Sequence, residues 1–400
     1  MSKEKSRIGG LKELAALFLR LGFTAFGGPA AHIAMMEDEV VVRRRWMSRE
    51  HFLDLVGATN LIPGPNSTEM AIHVGFHRAG WKGLLVAGVC FILPASLITL
   101  GFAWFYVQYG QVPQVAPFLF GIKPAVLAII IAAVWRLGQS AAKSWQLAVI
   151  GLVVAGLAMS GVNEVLAILT GGIIGMAWLL LMDKWKRTGG QKGSGLILTT
   201  LCALSLQMPR RTLALVAENA ATIAGAISLA KLGLIFLKIG SVLFGSGYVL
   251  IAYLDGELVQ GLGWLTRQQL LDAIAIGQFT PGPVLSTATF IGYVIQGGLG
   301  ALVATAGIFL PSFIFVVLLN PLVPKLRKSR ISARFLHAVN VSAVGLMAAV
   351  LLMLGSQVLL EWKAGIIFVP SAAMTLFWRK VGSGWIIAGG ALLGYLLLLI

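Results

Sequence analysis

The stretch NLIPGPNSTE at residues 60–69 recurs as QFTPGPVLST at residues 278–287. Each copy places a Pro-Gly-Pro tripeptide inside an otherwise apolar segment, among amide and hydroxyl side chains. Proline removes a backbone donor and clashes with the preceding helical turn, yet it suits the first turn of a new helix. The pattern therefore predicts two helices that are each broken at the tripeptide.

The repeat extends outward from these two stretches along most of the chain. Phe18 matches Phe236 at an offset of 218 residues, and the two tripeptides keep that offset. One residue then drops out, and an offset of 217 aligns Pro94 with Pro311. A single one-residue gap over so long an alignment is hard to obtain by chance, so we predict two related halves.

The repeat divides the chain into three parts. We predict an N-terminal repeat at residues 1–183, a linker with an extra membrane crossing at 184–235, and a C-terminal repeat at 236–400. Each half contains six apolar segments, which in the first half lie near residues 11–36, 48–75, 82–110, 114–137, 144–161 and 163–182. Together with the linker this gives about thirteen helical segments of membrane-spanning character.

Composition excludes a soluble protein. The chain has 400 residues, of which 58% are hydrophobic and only 12% charged, whereas soluble domains have about a quarter charged. The net charge of +16 is concentrated in short basic runs between apolar segments. That distribution is typical of cytoplasmic loops and anionic headgroups. We therefore predict an all-α polytopic membrane protein that contacts lipid and no nucleic acid.

The basic loops predict the orientation of the halves. In the first half Arg136 and Lys143 separate the fourth and fifth segments, whereas in the second half the strongly basic loop, residues 325–334, follows the third segment. This exchange of sides predicts repeats of inverted topology, with a cytoplasmic N-terminus and an external C-terminus. Arg43-Arg44-Arg45 would then lie outside, unless the first two segments of each half are re-entrant.

Inverted repeats with broken helices are typical of secondary transporters, which bind their substrate at the breaks. A half-helix that begins after each tripeptide directs free N–H groups and a positive dipole end at the break, which favours an anion. The alternative is two kinks that serve packing alone. The candidate substrate-binding residues at the breaks are Asn60, Pro63, Gly64, Pro65, Asn66, Ser67, Thr68, Gln278, Pro281, Gly282, Pro283 and Ser286.

Two further features join the predicted site. Arg20 and Lys238 occupy equivalent positions before a Phe-Gly turn and could balance a dianion, or extend to the membrane interface. Gly27 and Gly28 in the first turn would let backbone approach a ligand, or serve close helix packing. Glu69, which we align with Thr287, is a candidate for carrying a coupling proton, with an ion pair to a basic neighbour as the alternative.

Nothing in the sequence indicates catalysis. No Gly-rich phosphate loop and no Ser/His/Asp order is visible. His73 and His77 lie four residues apart, but no third metal ligand accompanies them. We therefore predict a protein that is not an enzyme and needs no cofactor and no metal.

The motifs of both halves resemble the chromate ion transporter family in its long, two-domain form. The resemblance is carried by residues 18–22 (FLRLG), 26–29 (FGGP) and 60–69 in the first half, and by residues 236–247 and 278–283 in the second. It implies a protein of the bacterial-type cytoplasmic (inner) membrane that exports chromate and confers chromate resistance. It also implies exchange with sulfate or coupling to the proton-motive force.

The second half departs from the fuller motif, and several functions stay open. Ser246 stands where the first half has Gly28, and Val284-Leu285 replace Asn66-Ser67, so the two half-sites are not expected to be equivalent. The residues alone do not distinguish chromate from sulfate, since both are tetrahedral dianions. A carrier of sulfate or another oxyanion, an anion channel and a membrane scaffold without transport remain alternatives, and a homodimer is left open.

Overall fold

A computed structural model describes residues 2–26, 28–60, 62–110, 112, 115–187, 228–244, 247–319, 329–378 and 381–399. All regular secondary structure within these ranges is helical. The predicted crossing in the linker falls largely outside the described residues, as do residues 325–328 of the basic loop, so the count of thirteen segments and the inverted orientation stay predictions. The all-helical membrane fold with a two-part repeat is confirmed.

The described residues of the first half form seven helices. They are α1 Ser2–Thr24, α2 Pro29–Glu37 with a π-helical continuation Asp38–Arg43, α3 Arg49–Thr59, α4 Asn66–Tyr109, α5 Ala116–Ala141, α6 Trp145–Met159 and α7 Glu164–Arg187. Sequence signals set several of their starts. Pro29 occupies the first turn of α2, and the Ser48 hydroxyl accepts a hydrogen bond from the His51 N–H at the start of α3.

The second half repeats this order. It contains α8 Leu229–Val242, a 3₁₀ turn Gly247–Val249, α9 Leu250–Leu254 with a π-helical continuation Asp255–Gly261, α10 Arg267–Phe279, a 3₁₀ turn Val284–Ser286, α11 Thr287–Leu319, α12 Arg330–Val358, α13 Trp362–Phe377 and α14 Ser383–Leu399. Thr266 and Gln269 form a capping box at the start of α10, where Ser48 caps α3 in the first half.

The long helices α4 and α11 each fold back on themselves at a glycine. Gly80 has φ +59° and Gly297 has φ +62°, and the preceding residues share φ −142°. After this turn the chain packs against the segment before it, because a Cβ on Gly75 would overlap the Gly83 carbonyl. Gly292 and Gly300 repeat that contact. The short helical segments that follow the tripeptides, 66–78 and 284–295, therefore lie inside helical hairpins.

The one-residue gap between the repeats is located by these hairpins. The offset is already 217 at Gly75 and Gly292, so the residue is lost just after the tripeptide. There the second half has a 3₁₀ turn where the first has α-helix. A 3₁₀ helix rises about 2.0 Å per residue against 1.5 Å, so three residues cover the length of four. The alignment of Glu69 with Thr287 is therefore wrong, and its counterpart is Ser286.

One helix of each half packs mainly against helices of the other half. Helix α5 packs chiefly against α13 and α14 of the second half, while its counterpart α12 packs against α6 and α7 of the first. Within each half the first helix packs against the long hairpin helix, α1 on α4 and α8 on α11, and the two hairpins contact each other at the centre. Such reciprocal contacts are what a two-fold axis between the repeats produces.

In the part of the chain that the structure describes, five helices are long and apolar enough to cross a bilayer, within α4, α5, α7, α11 and α12. Large apolar side chains such as Leu302, Leu360 and Trp385 point outward, each at least two-thirds exposed. In water such a surface would be unfavourable, whereas in a bilayer it faces hydrocarbon. The segments that follow the tripeptides lie in the interior of the molecule, since residues 67–75 and 285–292 are all buried.

Candidate functional site

Each Pro-Gly-Pro break is held by the opposite repeat. The Gly64 N–H donates to the Leu243 carbonyl, and the Gly282 N–H donates to the Ala25 carbonyl, both at 2.8 Å. Ala25 and Leu243 directly follow the first helix of their respective halves and are themselves repeat counterparts. These glycine amides therefore join the halves. They are not open to a ligand, whereas the predicted free N–H groups belong to the half-helix that begins after each tripeptide, and that prediction is not contradicted by these two bonds.

The polar residues on either side of the first break are connected to each other. Asn66, the first residue of α4, donates from Nδ2 to Asn60 Oδ1 at 2.8 Å. Asn60 in turn donates from Nδ2 to the Val56 carbonyl at 2.9 Å. This chain of hydrogen bonds fixes both amides, and both residues line the same cavity.

That cavity has a volume of about 840 Å³ and lies between α2, α5 and α12. Pro29, Ala30 and Ala31 line it, so the N-terminal end of α2 faces the space. Their repeat counterparts Tyr248 and Val249 also line it. Because equivalent residues of both repeats meet there, the cavity lies close to the pseudo-two-fold axis.

The polar lining of the cavity is basic or neutral. Arg136 and Lys143 enter from the end of α5 and the following loop, and His337 and Asn340 enter from α12. No acidic side chain occurs among the described residues that line it. A guanidinium, an ammonium and a helix N-terminus around one space raise the local concentration of anions. The arrangement is suited to an oxyanion, which arginine can bind through two parallel hydrogen bonds.

Only part of the predicted site lies at this cavity. Asn60 and Asn66 line it, and Gly28, with φ +81°, places its backbone near the Tyr248 hydroxyl. Gly27 lies outside the described residues. The other candidates at the breaks are buried in the core and do not line the cavity: Pro63, Gly64, Pro65, Ser67, Thr68, Gln278, Pro281, Gly282, Pro283 and Ser286.

Arg20 and Lys238 are placed symmetrically, away from the cavity. Arg20 Nη2 lies 2.5 Å from Glu39 Oε1, and Lys238 forms an ion pair with Glu257. Both cationic side chains are about half exposed. Since Glu39 and Glu257 are also repeat counterparts, the ion pair itself is a feature of the repeat.

Glu69 lies in an unusual environment for a carboxylate. Its side chain is fully buried, lies against Gly64, and adjoins the Ser312 hydroxyl of the second half. Neither carboxylate oxygen has a hydrogen-bond partner within the described part of the chain, and no ion pair found there includes Glu69. At the second break its counterpart Ser286 instead contacts the Thr99 hydroxyl at 3.2 Å.

Sequence reasoning missed the cations of the cavity. In the sequence Arg136 and Lys143 indicate only topology, and His337 is an isolated histidine. His337 lies about two hundred residues after Arg136 and Lys143 in the sequence. Only the packing of α5 on α12 across the halves brings the three side chains together. One signal was available in the repeat alignment: at the offset of 217 residues Lys123 of α5 aligns with Asn340 of α12, so both helices carry a polar residue at the same position.

Comparison with known proteins decides the family. The family described as "Chromate transporter" matches residues 12–176 and 230–395, in both halves. The chain belongs to the chromate transporter family. The chromate transport protein of Cupriavidus metallidurans is 30% identical over 386 residues, which cover 96% of this chain and 92% of the relative.

Two further relatives agree. The chromate transport protein of Pseudomonas aeruginosa is 34% identical, covering 84% of this chain and 79% of its own. The probable chromate transport protein of Synechococcus elongatus is 30% identical, covering 92% of this chain and 96% of its own. No solved structure matches. As a chromate transporter family member, the chain is a multi-pass transport protein of the cytoplasmic membrane with an oxyanion substrate.

Proposed function

We propose that the protein exports chromate by alternating access, and that the anion binds in the basic cavity beside the first Pro-Gly-Pro break. The observation that supports this most is the cavity lining, which gathers Arg136, Lys143 and His337 without an acidic residue among the described lining residues. Chromate is the substrate in the names of the relatives. The three amides at Asn60, Asn66 and Asn340 would add neutral donors to the anion's oxygens.

Export is the direction favoured by charge. The loop that carries Lys143 is predicted to be cytoplasmic, so the cavity would load from the inside. The membrane potential of a cell is negative inside and contributes about 2.3 kcal/mol per elementary charge per 100 mV, or about 4.6 kcal/mol for a dianion. That contribution drives chromate outward and opposes its uptake whenever no second dianion returns in exchange.

The test is exchange of radiolabelled chromate in proteoliposomes. We compare wild type with Arg136→Gln and Asn66→Ala, and use Arg49→Gln as the matched control because Arg49 is exposed and paired with Glu37 outside the cavity. Loss of one charge-assisted contact, about 1.5–3 kcal/mol, should raise the KM for chromate about 10- to 100-fold for Arg136→Gln. Unchanged saturable transport in Arg136→Gln would refute the cavity as the binding site.

The coupling mode is tested in the same vesicles. Sulfate inside the vesicles should accelerate chromate uptake if the two anions exchange, since both would bind the same set of donors. A pure channel would show no acceleration by sulfate on the far side. A carrier whose main substrate is sulfate would transport labelled sulfate at a higher kcat/KM than chromate.

Proton coupling through Glu69 is a second candidate, supported by a specific observation. A fully buried carboxylate without a cationic partner is stable only when it is neutral, or when a charge arrives to pair with it. If Glu69 carries the coupling proton, Glu69→Gln abolishes acceleration by a pH gradient but keeps chromate–chromate exchange. If a pH gradient still accelerates transport by Glu69→Gln, the residue has no part in coupling.

A further inference from the structure

A buried polar cluster lies apart from the basic cavity. Lys123 on α5 approaches Asp272 on α10, with 3.7 Å between Nζ and Oδ1. The Tyr106 hydroxyl of α4 donates to Asp272 Oδ2 at 3.0 Å, and its ring packs on Phe290 of α11 at 5.1 Å between ring centres. The Asp272 side chain is fully buried, and that of Lys123 is only 15% exposed.

Repeat symmetry relates this cluster to the cavity. Lys123 is the counterpart of Asn340, which lines the cavity from α12. Likewise Val126 is the counterpart of Ala343, another lining residue, and Gln278 that of Asn60. Applying the pseudo-two-fold axis to the cavity therefore generates a second space, in which Lys123 replaces Asn340. In this structure Lys123 is instead bound to Asp272, and Val126 is fully buried.

We infer that Lys123 is an anion-binding residue of the opposite-facing state, and that Asp272 occupies the anion's place on its ammonium group while the basic cavity is open. The inference rests on the proposed alternating access. In an inverted-repeat transporter the two facing states arise when the repeats exchange conformations, so counterparts of lining residues become lining residues.

Charge explains why the exchange would depend on the substrate. A buried ammonium left without a partner is costly, so Lys123 leaves Asp272 readily only when another negative charge replaces the carboxylate. The arriving dianion supplies that charge for Lys123, and the Asp272 carboxylate keeps its Tyr106 donor and gains water as the second space opens. The same step that opens the second space thereby transfers Lys123 from the carboxylate to the substrate.

The experiment measures accessibility of introduced cysteines in purified full-length protein in which Cys90 and Cys202 are replaced by serine. Ser140→Cys reports on the open cavity, and Val126→Cys reports on the second space. Labelling by a water-soluble maleimide is followed in detergent without substrate. Asp272→Asn should raise the labelling rate of Val126→Cys at least fivefold and lower that of Ser140→Cys. The control is Asp54→Asn, the repeat counterpart, which should change neither rate.

The binding role of Lys123 has its own readout. In the Asp272→Asn background, millimolar sulfate should slow labelling of Val126→Cys, and adding Lys123→Gln should abolish this protection. Unchanged labelling in Asp272→Asn, or protection that survives Lys123→Gln, overturns the inference. If Asp272→Asn does not fold, Tyr106→Phe removes one hydrogen bond and should shift both rates in the same directions by a smaller factor.

Failure of this inference is distinguishable from failure of the proposed function. The labelling rates can be measured without transport, and wild-type chromate exchange can be measured without an introduced cysteine. If the wild type exchanges chromate but Asp272→Asn leaves both labelling rates unchanged, only the role of Lys123 and Asp272 is overturned. Absence of wild-type exchange, with reporters that shift and are protected by sulfate, refutes chromate export and leaves an anion-dependent gate.

Discussion

Gly64 shows how strongly single residues are constrained at the centre of the molecule. Its φ of +147° suits only glycine, and a methyl group there would overlap the Glu69 carboxylate and approach Ser312 Oγ at 2.7 Å. We expect Gly64→Ala to lower the free energy of unfolding by about 1–3 kcal/mol through strain and overpacking. Thermal unfolding in detergent measures this, with Gly101→Ala, which meets no atom within 4 Å, as the control. Equal melting of the two variants would contradict the packing at the break.

The paired charges outside the cavity give a second prediction at this scale. Lys238→Glu should weaken folding or transport because it places two carboxylates together at Glu257. Exchanging both charges, as Lys238→Glu with Glu257→Lys, should restore membrane abundance and transport if the ion pair is structural. If Lys238 binds the substrate, the exchanged pair remains inactive although it folds, which chromate exchange on purified protein detects.

At single positions the sequence predicted which polar residues lie within helix breaks, but it did not predict which residues lie close together in space. Asn60 and Asn66 could be predicted as site residues because the sequence alone shows that two amides flank a broken helix. Arg136 and His337 could not, since a basic residue at a segment end satisfies the topology rule equally well whether it faces lipid headgroups or a substrate. The sequence shows that an acid recurs at the repeat offset, as Glu39 and Glu257. It does not show that these acids pair with Arg20 and Lys238.

At the scale of elements, glycines determine how closely the exchanged helices approach. A Cβ on Gly390 of α14 would lie 2.6 Å from Ala125 Cβ and 2.8 Å from the Gly121 carbonyl of α5, whereas its neighbour Gly389 meets no atom within 4 Å. We expect Gly390→Ala to cost about 1–3 kcal/mol of stability, and Gly389→Ala to be neutral or slightly stabilising. The comparison is a thermal melt of both variants, and a larger loss for Gly389→Ala would contradict the packing of α5 on α14.

The element order shows which structural features the repeat could and could not predict. Alignment alone predicted helix breaks at both tripeptides, because proline acts through local sterics. It did not predict the 3₁₀ turn at Val284–Ser286, which became visible only when Gly75 and Gly292 fixed the register. A one-residue gap has the same appearance in an alignment whether it falls in a loop or in a tightened helical turn.

At the scale of the whole molecule, neither half should be stable without the other. The main partners of α5 are α13 and α14, those of α12 are α6 and α7, and the amides of Gly64 and Gly282 are each satisfied by the opposite repeat. A separated half would therefore expose helix faces and backbone groups that lipid cannot satisfy. The cavity would also be incomplete, because Arg136 and His337 come from different halves.

We therefore expect residues 1–187 and 188–400, produced as separate chains, to accumulate and transport chromate only when they are produced together. The division leaves residues 188–235 of the predicted linker joined to the second half, so the predicted extra crossing still precedes α8. Co-purification through a tag on one chain measures association, and chromate exchange measures the assembled site. Introducing Gly390→Leu should reduce co-purification far more than Gly389→Leu, because the first obstructs the contact of α14 with α5. A half that is stable and monodisperse by itself would show that the exchanged packing is dispensable, and two repeats in one chain would then have no physical basis in mutual stabilisation.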